Sequence, residues 1–386
     1  MISARALRFA WLVTVVGGAM LGYGLWLRRH AEAFAYLAAF GALFSTVLGA
    51  LALLAMMRTL HARWFVALRG LAGALSSTTL LLPALFLPIA LGLREVFPWA
   101  AAPSVSAELW HTVRRARLWG HDWLGSGWFF LRSGLYLALW LALAVYLRRA
   151  ERAQAEHRPP RAARVTAISA LALPVLGFSG SWAGFDWLMS ALPDCNLTSF
   201  GLYLLSGGFC AALGALALLV HSAKQRSLLP TEVGHAHAHA LGRLMFAALC
   251  LWAYIAVSQL IIVWIANLPR EAAFYLPRAS GPFRAIASVL VGGHFIAPFF
   301  LLLSRSWKQR FRFVAWLGGW LVLMHALDLY WLLVPSSTTP ASWLDAGPFL
   351  FMAGLSTLFA QARFSRAHAV PQRDPELARS LAYESP

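Results

Sequence analysis

Apolar residues fall in ten long runs along this chain, at 8–27, 33–57, 65–91, 126–147, 165–182, 199–221, 241–267, 284–304, 311–333 and 345–362. A helix needs about 20 apolar residues to cross the hydrocarbon with its backbone groups satisfied internally, so each run predicts a membrane-spanning helix. The fifth run is the weakest, short and interrupted by Pro174 and Gly177, while Pro83 and Pro88 predict a kink in the third. Arg5 and Arg8 precede the first run, no small-residue cleavage site follows it, and Leu27 leads into Arg28, Arg29 and His30. That pattern predicts an uncleaved helix rather than a signal peptide.

The longest polar stretches are 92–125, 148–164 and the tail from 363, which leaves no room for a sizeable water-soluble domain. Segment 92–125 carries Trp99, Trp110, Trp119, Arg114, Arg115 and Arg117, and predicts an ordered interfacial loop against headgroups or a partner. Pro371, Pro375 and Pro386 predict a disordered tail.

Composition agrees with the pattern. Hydrophobic residues make up 60% of the chain and charged residues only 12%, against about 25% charged in an ordinary soluble domain. The formal charge of +17 would point to nucleic acid in a soluble protein, but here the bases sit in short runs between apolar spans. That is how cytoplasmic loops and lipid-headgroup contacts look, and it argues against a nucleic-acid partner. With the N-terminus in the cytoplasm, 22 of the 32 Lys and Arg fall on the inner side, and the outer segments 183–198 and 334–344 hold none. The positive-inside rule therefore predicts both termini in the cytoplasm. Cys195, Cys210 and Cys250 form no CxxC or CxxCH pair, so no covalent haem or cysteine-ligated cluster is expected.

Polar residues inside a span are costly, and each is a functional hypothesis by default. Asp328 is the acidic residue that lies well inside a run, and it shares the ninth span with His325 at i,i+3, on one face. His294 falls near the middle of the eighth span; Tyr254 and Gln259 lie in the seventh, and Asp186 at the outer mouth of the fifth. Asn267, Arg270, Glu271 and Tyr330 mark the outer mouth. Together these groups predict a polar track that relays protons or meets a quinone head group; the competing reading is hydrogen bonding between neighbouring helices. His235, His237 and His239 alternate in GHAHAHA without supporting Cys, Asp or Glu, which reads as a solvated loop rather than a metal site. Residues 121–126 (HDWLGS) echo 185–190 (FDWLMS), and each precedes a helix containing Gly-Leu-Tyr-Leu.

Several of these stretches resemble one family. Phe185-Asp186-Trp187-Leu188-Met189-Ser190, Ala253-Tyr254-Ile255-Ala256 with Ser258-Gln259, and Trp264-Ile265-Ala266-Asn267-Leu268-Pro269 with Glu271 carry part of the likeness. Gly293-His294-Phe295 with Pro298, Leu301-Leu302-Leu303-Ser304-Arg305-Ser306, and Met324-His325 with Asp328-Leu329-Tyr330-Trp331 carry the rest. In order and spacing they resemble the second membrane subunit of bacterial alternative complex III (quinol:cytochrome c oxidoreductase quinone-binding subunit 2), similar to the NrfD-like polysulfide-reductase membrane subunits. The likeness is dense over 180–335 and loose over 1–180, and it departs from the family pattern where Ser190 is followed by Ala191-Leu192-Pro193-Asp194.

The resemblance implies an all-α polytopic protein of the bacterial inner membrane with ten transmembrane helices. A flanking helix (1–32), a first four-helix bundle (33–182), a second carrying the polar track (183–335) and a last flanking helix (336–362) would precede the cytoplasmic tail (363–386). It implies partners too: multihaem cytochrome c, iron–sulfur and related membrane subunits of a quinol-oxidising complex. This subunit would hold no redox metal; a quinone (menaquinone or ubiquinone) and structural lipid are the ligands it implies, with the quinol site assigned more readily to the related first membrane subunit. Two other readings stand beside it: a secondary transporter, expected to show broken helices in paired positions of two halves, and a b-type cytochrome with His294 and His325 as axial ligands.

Overall fold

In hydrocarbon a backbone can satisfy its N–H and C=O groups only within itself, and the apolar runs accordingly fold as helices. A computed structural model describes residues 4–100, 126–155, 162–192, 195, 197–267, 269–364, 374 and 376–384. The membrane helices are α1 (Ala4–Leu27), α2 (Arg29–Thr59), α3 (Arg63–Leu91), α4 (Ser126–Ala155), α5 (Ala162–Trp187), α6 (Phe200–Gln225), α7 (His235–Ala266), α8 (Gly281–Leu303), α9 (Phe311–Leu333) and α10 (Gly347–Phe364). All ten contain windows long and apolar enough to cross a bilayer, and no strand occurs among the described residues. The chain is an all-α, multi-pass membrane protein.

Helix α2 is the axis of the packing. It touches α6, α5, α9 and α3, and 83% of its apolar window is buried, against 22% for α1 and α8. Helices α3 to α5 gather on one side of it and α6 to α9 on the other, while α1 pairs with α10 at the flank. Small residues allow the closest crossings, as in membrane helix pairs generally. A Cβ on Gly49 of α2 would lie 2.7 Å from the Phe209 Cα of α6, and one on Gly214 of α6 would meet the Gly318 carbonyl of α9.

Three elements depart from the sequence pattern. Helix α5 runs unbroken through Pro174 to Trp187, where a short, interrupted span was expected. One turn beyond the proline the Ser179 hydroxyl donates to the Val175 carbonyl (2.6 Å) and accepts from Trp140 Nε1 (2.9 Å), joining α5 to α4. Helix α7 starts at His235, so the GHAHAHA histidines occupy its first turns rather than a solvated loop, with His237 fully buried and His239 5% exposed. Alternate positions diverge around a helix, and no metal-holding group occurs among the described residues.

The tail is the third departure. Leu377–Leu381 forms a short helix, and the Ser380 hydroxyl accepts from the Ala67 amide (3.2 Å) and donates to the Trp64 carbonyl (3.3 Å). Its described part is thus docked rather than disordered. The expected kink in α3 is a 3-10 turn, Ser77–Leu81, just before Pro83. Ser76, Ser77, Thr78 and Thr79 donate to carbonyls three residues back at 2.6–3.0 Å, which removes the cost of four hydroxyls in an apolar span. Residues 101–125, with Trp110, Arg114, Arg115, Arg117, Trp119 and His121–Leu124, lie outside the described residues, as does Asp194.

Candidate functional site

The deepest polar group of the second bundle is built from five helices. Asp328 and His325 are each 1% exposed, one turn apart on the buried face of α9. Asp328 Oδ1 accepts a hydrogen bond from the Tyr203 hydroxyl of α6, and its Oδ2 has no partner. His325 Nε2 lies 2.9 Å from the Ser45 hydroxyl of α2, and its Nδ1 has no partner. A Cβ on Gly207 of α6 would sit 2.8 Å from His325 Nδ1 and 3.2 Å from Trp252 Cδ1, so only glycine lets α6 approach here.

Trp252 of α7 closes the group against His294 of α8, their rings stacked at 3.8 Å and 29°. His294 is fully buried with neither ring nitrogen bonded, and Trp252 Nε1 lies beside the Asp328 carboxylate without closing a hydrogen bond. The local backbone explains how His294 arrives. Residues Leu290–Ile296 form a π-helical turn, a feature found mostly where one residue is inserted into an α-helix, frequently at functional sites. The wider turn turns the Gly293 carbonyl outward to accept from Trp320 Nε1 of α9 at 2.7 Å.

Buried polar atoms without partners are rare, because each costs roughly 1–3 kcal/mol. Asp328 Oδ2, His325 Nδ1, both nitrogens of His294 and Trp252 Nε1 bring such atoms together on interlocked helices. Small polar occupants satisfy groups of this kind, each buried water making about 3 hydrogen bonds. Larger ligands fit poorly. Gly207 leaves less than a methyl group's space beside His325, and Trp252 covers a face of His294. A quinone ring or a porphyrin between the two histidines would have to displace these contacts.

The other residues singled out from the sequence lie elsewhere. Gln259 is buried, and its Oε1 accepts from the Ser199 amide (3.2 Å) at the start of α6, joining α6 and α7. Tyr254 is 71% exposed and faces away from the cluster, because α7 turns that side outward. Asp186 belongs to the first bundle: Arg132 of α4 grips its two oxygens at 2.7 and 2.8 Å, and the Tyr136 hydroxyl donates at 3.0 Å. Among the described residues no hydrogen bond joins Asp186, Gln259 or Tyr254 to the group of His294, His325 and Asp328, where a single track was expected.

At the mouth, Asn267 caps α7 in the left-handed conformation (φ 45°), a role suited to Asn. Glu271 is half-buried, and the side chain of Arg270 lies outside the described residues. Tyr330 donates to Asp345 Oδ2 (2.9 Å), while Arg28 holds Asp345 Oδ1 (3.1 Å) and so ties α1 to the start of α10.

Tyr203, Trp252, Ser45, Gly207 and Arg132 are the members that sequence reasoning missed. The repeated Gly-Leu-Tyr-Leu held part of the signal: Tyr136 and Tyr203 each donate to a buried aspartate, Asp186 and Asp328. The rule for intramembrane polar residues, applied to bases as well as acids, also picks out Arg132. The chain matches no protein-family model and no curated protein.

Proposed function

We propose that this chain is a membrane subunit of a bacterial quinol-oxidising electron-transfer complex, of the kind the sequence resembles, and that its second bundle moves protons. The gathering of unmatched, titratable atoms of His294, His325 and Asp328 on two packed helices supports this reading. A purely structural hydrogen-bond network leaves few such atoms open, whereas a relay needs sites that accept a proton and pass it on. Asp328 and the histidines hold the proton, Tyr203 orients the carboxylate, and bound water bridges the gaps. Quinol is oxidised outside this cluster, and multihaem cytochrome c and iron–sulfur subunits carry the electrons. The orientation expected from the bases, both termini in the cytoplasm of a bacterial inner membrane, is part of the proposal.

The transporter reading draws no support from the helix breaks. The 3-10 turn lies in the second helix of the α2–α5 group and the π turn in the third of the α6–α9 group, so they are not paired.

Asp328→Asn tests the relay, since it keeps size and much of the hydrogen bonding but removes titration. In the assembled complex it is expected to slow quinol-dependent electron transfer about 10-fold or more, a scale usual for acid–base groups. Full activity with an unchanged pH profile in an assembled variant would refute the relay. Purification of the detergent-solubilised chain tests the rest, with multihaem and iron–sulfur subunits expected to accompany it.

A further inference from the structure

Bases crowd one edge of the membrane domain, and three near the first bundle are matched by the chain's own carboxylates. Arg58 faces Glu151 at 3.6 Å, Arg63 faces Glu376 at 3.8 Å, and Arg69 pairs with Asp374. The corner where α7, α8 and α9 meet is different. Arg243 lies on α7, and Arg305 and Lys308 lie on the short helical turn Arg305–Lys308 that joins α8 to α9. None of the three takes part in an ion pair among the described residues.

The fold nevertheless holds these charges together. A Cβ on Gly242 would lie 2.9 Å from Lys308 Cγ, so the missing side chain is what lets the lysine stem lie against α7. Its ammonium ends 5.8 Å from the centre of the Phe246 ring. Burial, and then the nearby Arg243 charge, holds the Lys308 amine below its ordinary pKa. His239, one turn before Arg243, shares the neighbourhood of all three bases. The two helices turn apolar beyond the bases: their Phe246 and Phe299 rings pack at 5.3 Å, and Leu251 of α7 and Phe300 and Leu303 of α8 are 50%, 65% and 52% exposed. Trp307, 42% exposed, stands at the rim, where Trp favours the membrane–water interface.

We propose that this corner is a binding site for an anionic phospholipid, with Arg243, Arg305 and Lys308 on its phosphodiester and Leu251, Phe300 and Leu303 along its acyl chains. Converging bases without carboxylates suit a phosphate, which guanidinium groups bind through paired hydrogen bonds. Basic pockets between transmembrane helices recognise lipid headgroups in this way. The apolar wall below the bases separates a lipid from free phosphate, which would gain nothing from it.

Native mass spectrometry of the full-length chain, released from detergent with phosphatidylglycerol, phosphatidylcholine or inorganic phosphate, tests the site. Phosphatidylglycerol is expected to be retained in preference to phosphatidylcholine. Arg243→Gln and Arg305→Gln, both at exposed positions, should each weaken retention about five-fold, and Arg226→Gln at the same edge should not. Equal retention of the two lipids, or undiminished retention in both corner variants, overturns the proposal. So does complete displacement of the lipid by millimolar inorganic phosphate, which would show that the acyl chains contribute nothing.

Discussion

Asp328 shows how a single residue acquires meaning from its neighbours. Alone it is a costly carboxylate in an apolar span; in the fold it has one oxygen held by Tyr203 and one open, a turn from His325. Spacing along α9 is enough to put His325 and Asp328 on one face. Tyr203, Ser45 and Trp252 come from three other helices, which no local pattern relates to α9. Gly207 is the residue that admits His325. Gly207→Ala would place a methyl group 2.8 Å from His325 Nδ1, and overpacking of this kind costs about 1–3 kcal/mol. A lower unfolding temperature of the solubilised protein is the expected outcome, and an unchanged one would mean that the α6–α9 crossing yields without strain.

At the scale of the element, α8 carries the most consequential irregularity. Gly292-Gly293 and Pro298 hint at a break, and the structure resolves it as a π turn that brings His294 onto Trp252. Within that turn the Gly293 carbonyl accepts from Trp320 of α9. Trp320→Phe keeps the aromatic bulk and removes the donor, so it should destabilise this region by about 0.5–1.5 kcal/mol, the net worth of a hydrogen bond. Faster amide hydrogen exchange across 290–296 is the measurement that checks it, and native exchange rates would show the turn to be self-supporting. Helix α5 teaches the opposite lesson: Pro174 is visible in the sequence as a breaker, yet Ser179 and Trp140 beside it accompany an unbroken helix.

At the scale of the whole molecule, ten crossings among the described residues put the start of α1 and the end of α10 at one edge, and the docked tail helix on Trp64 and Ala67 fits that arrangement. Which compartment that edge faces is predicted by the distribution of bases. Ala341, exposed between α9 and α10, reports it directly: Ala341→Cys is expected to react with an impermeant thiol reagent from the periplasmic side of intact cells. Labelling from the cytoplasmic side alone would invert the orientation.

The number of spans and their approximate limits were legible in the sequence, because the thickness of the hydrocarbon imposes a length and an apolar composition on every crossing helix. So was the identity of three buried titratable residues, since such groups stand out where polar side chains are expensive. Partnership was not legible. Asp186 and Asp328 both read in the sequence as acids of one polar track, yet Arg132 claims one and Tyr203 the other; Tyr254 reads like a core donor and faces outward. A uniformly apolar helix gives no sign of which side meets a neighbour, because lipid and protein interior are equally good solvents for Leu and Val. Only the tertiary structure, through close crossings at small residues such as Gly207, decided which polar groups meet.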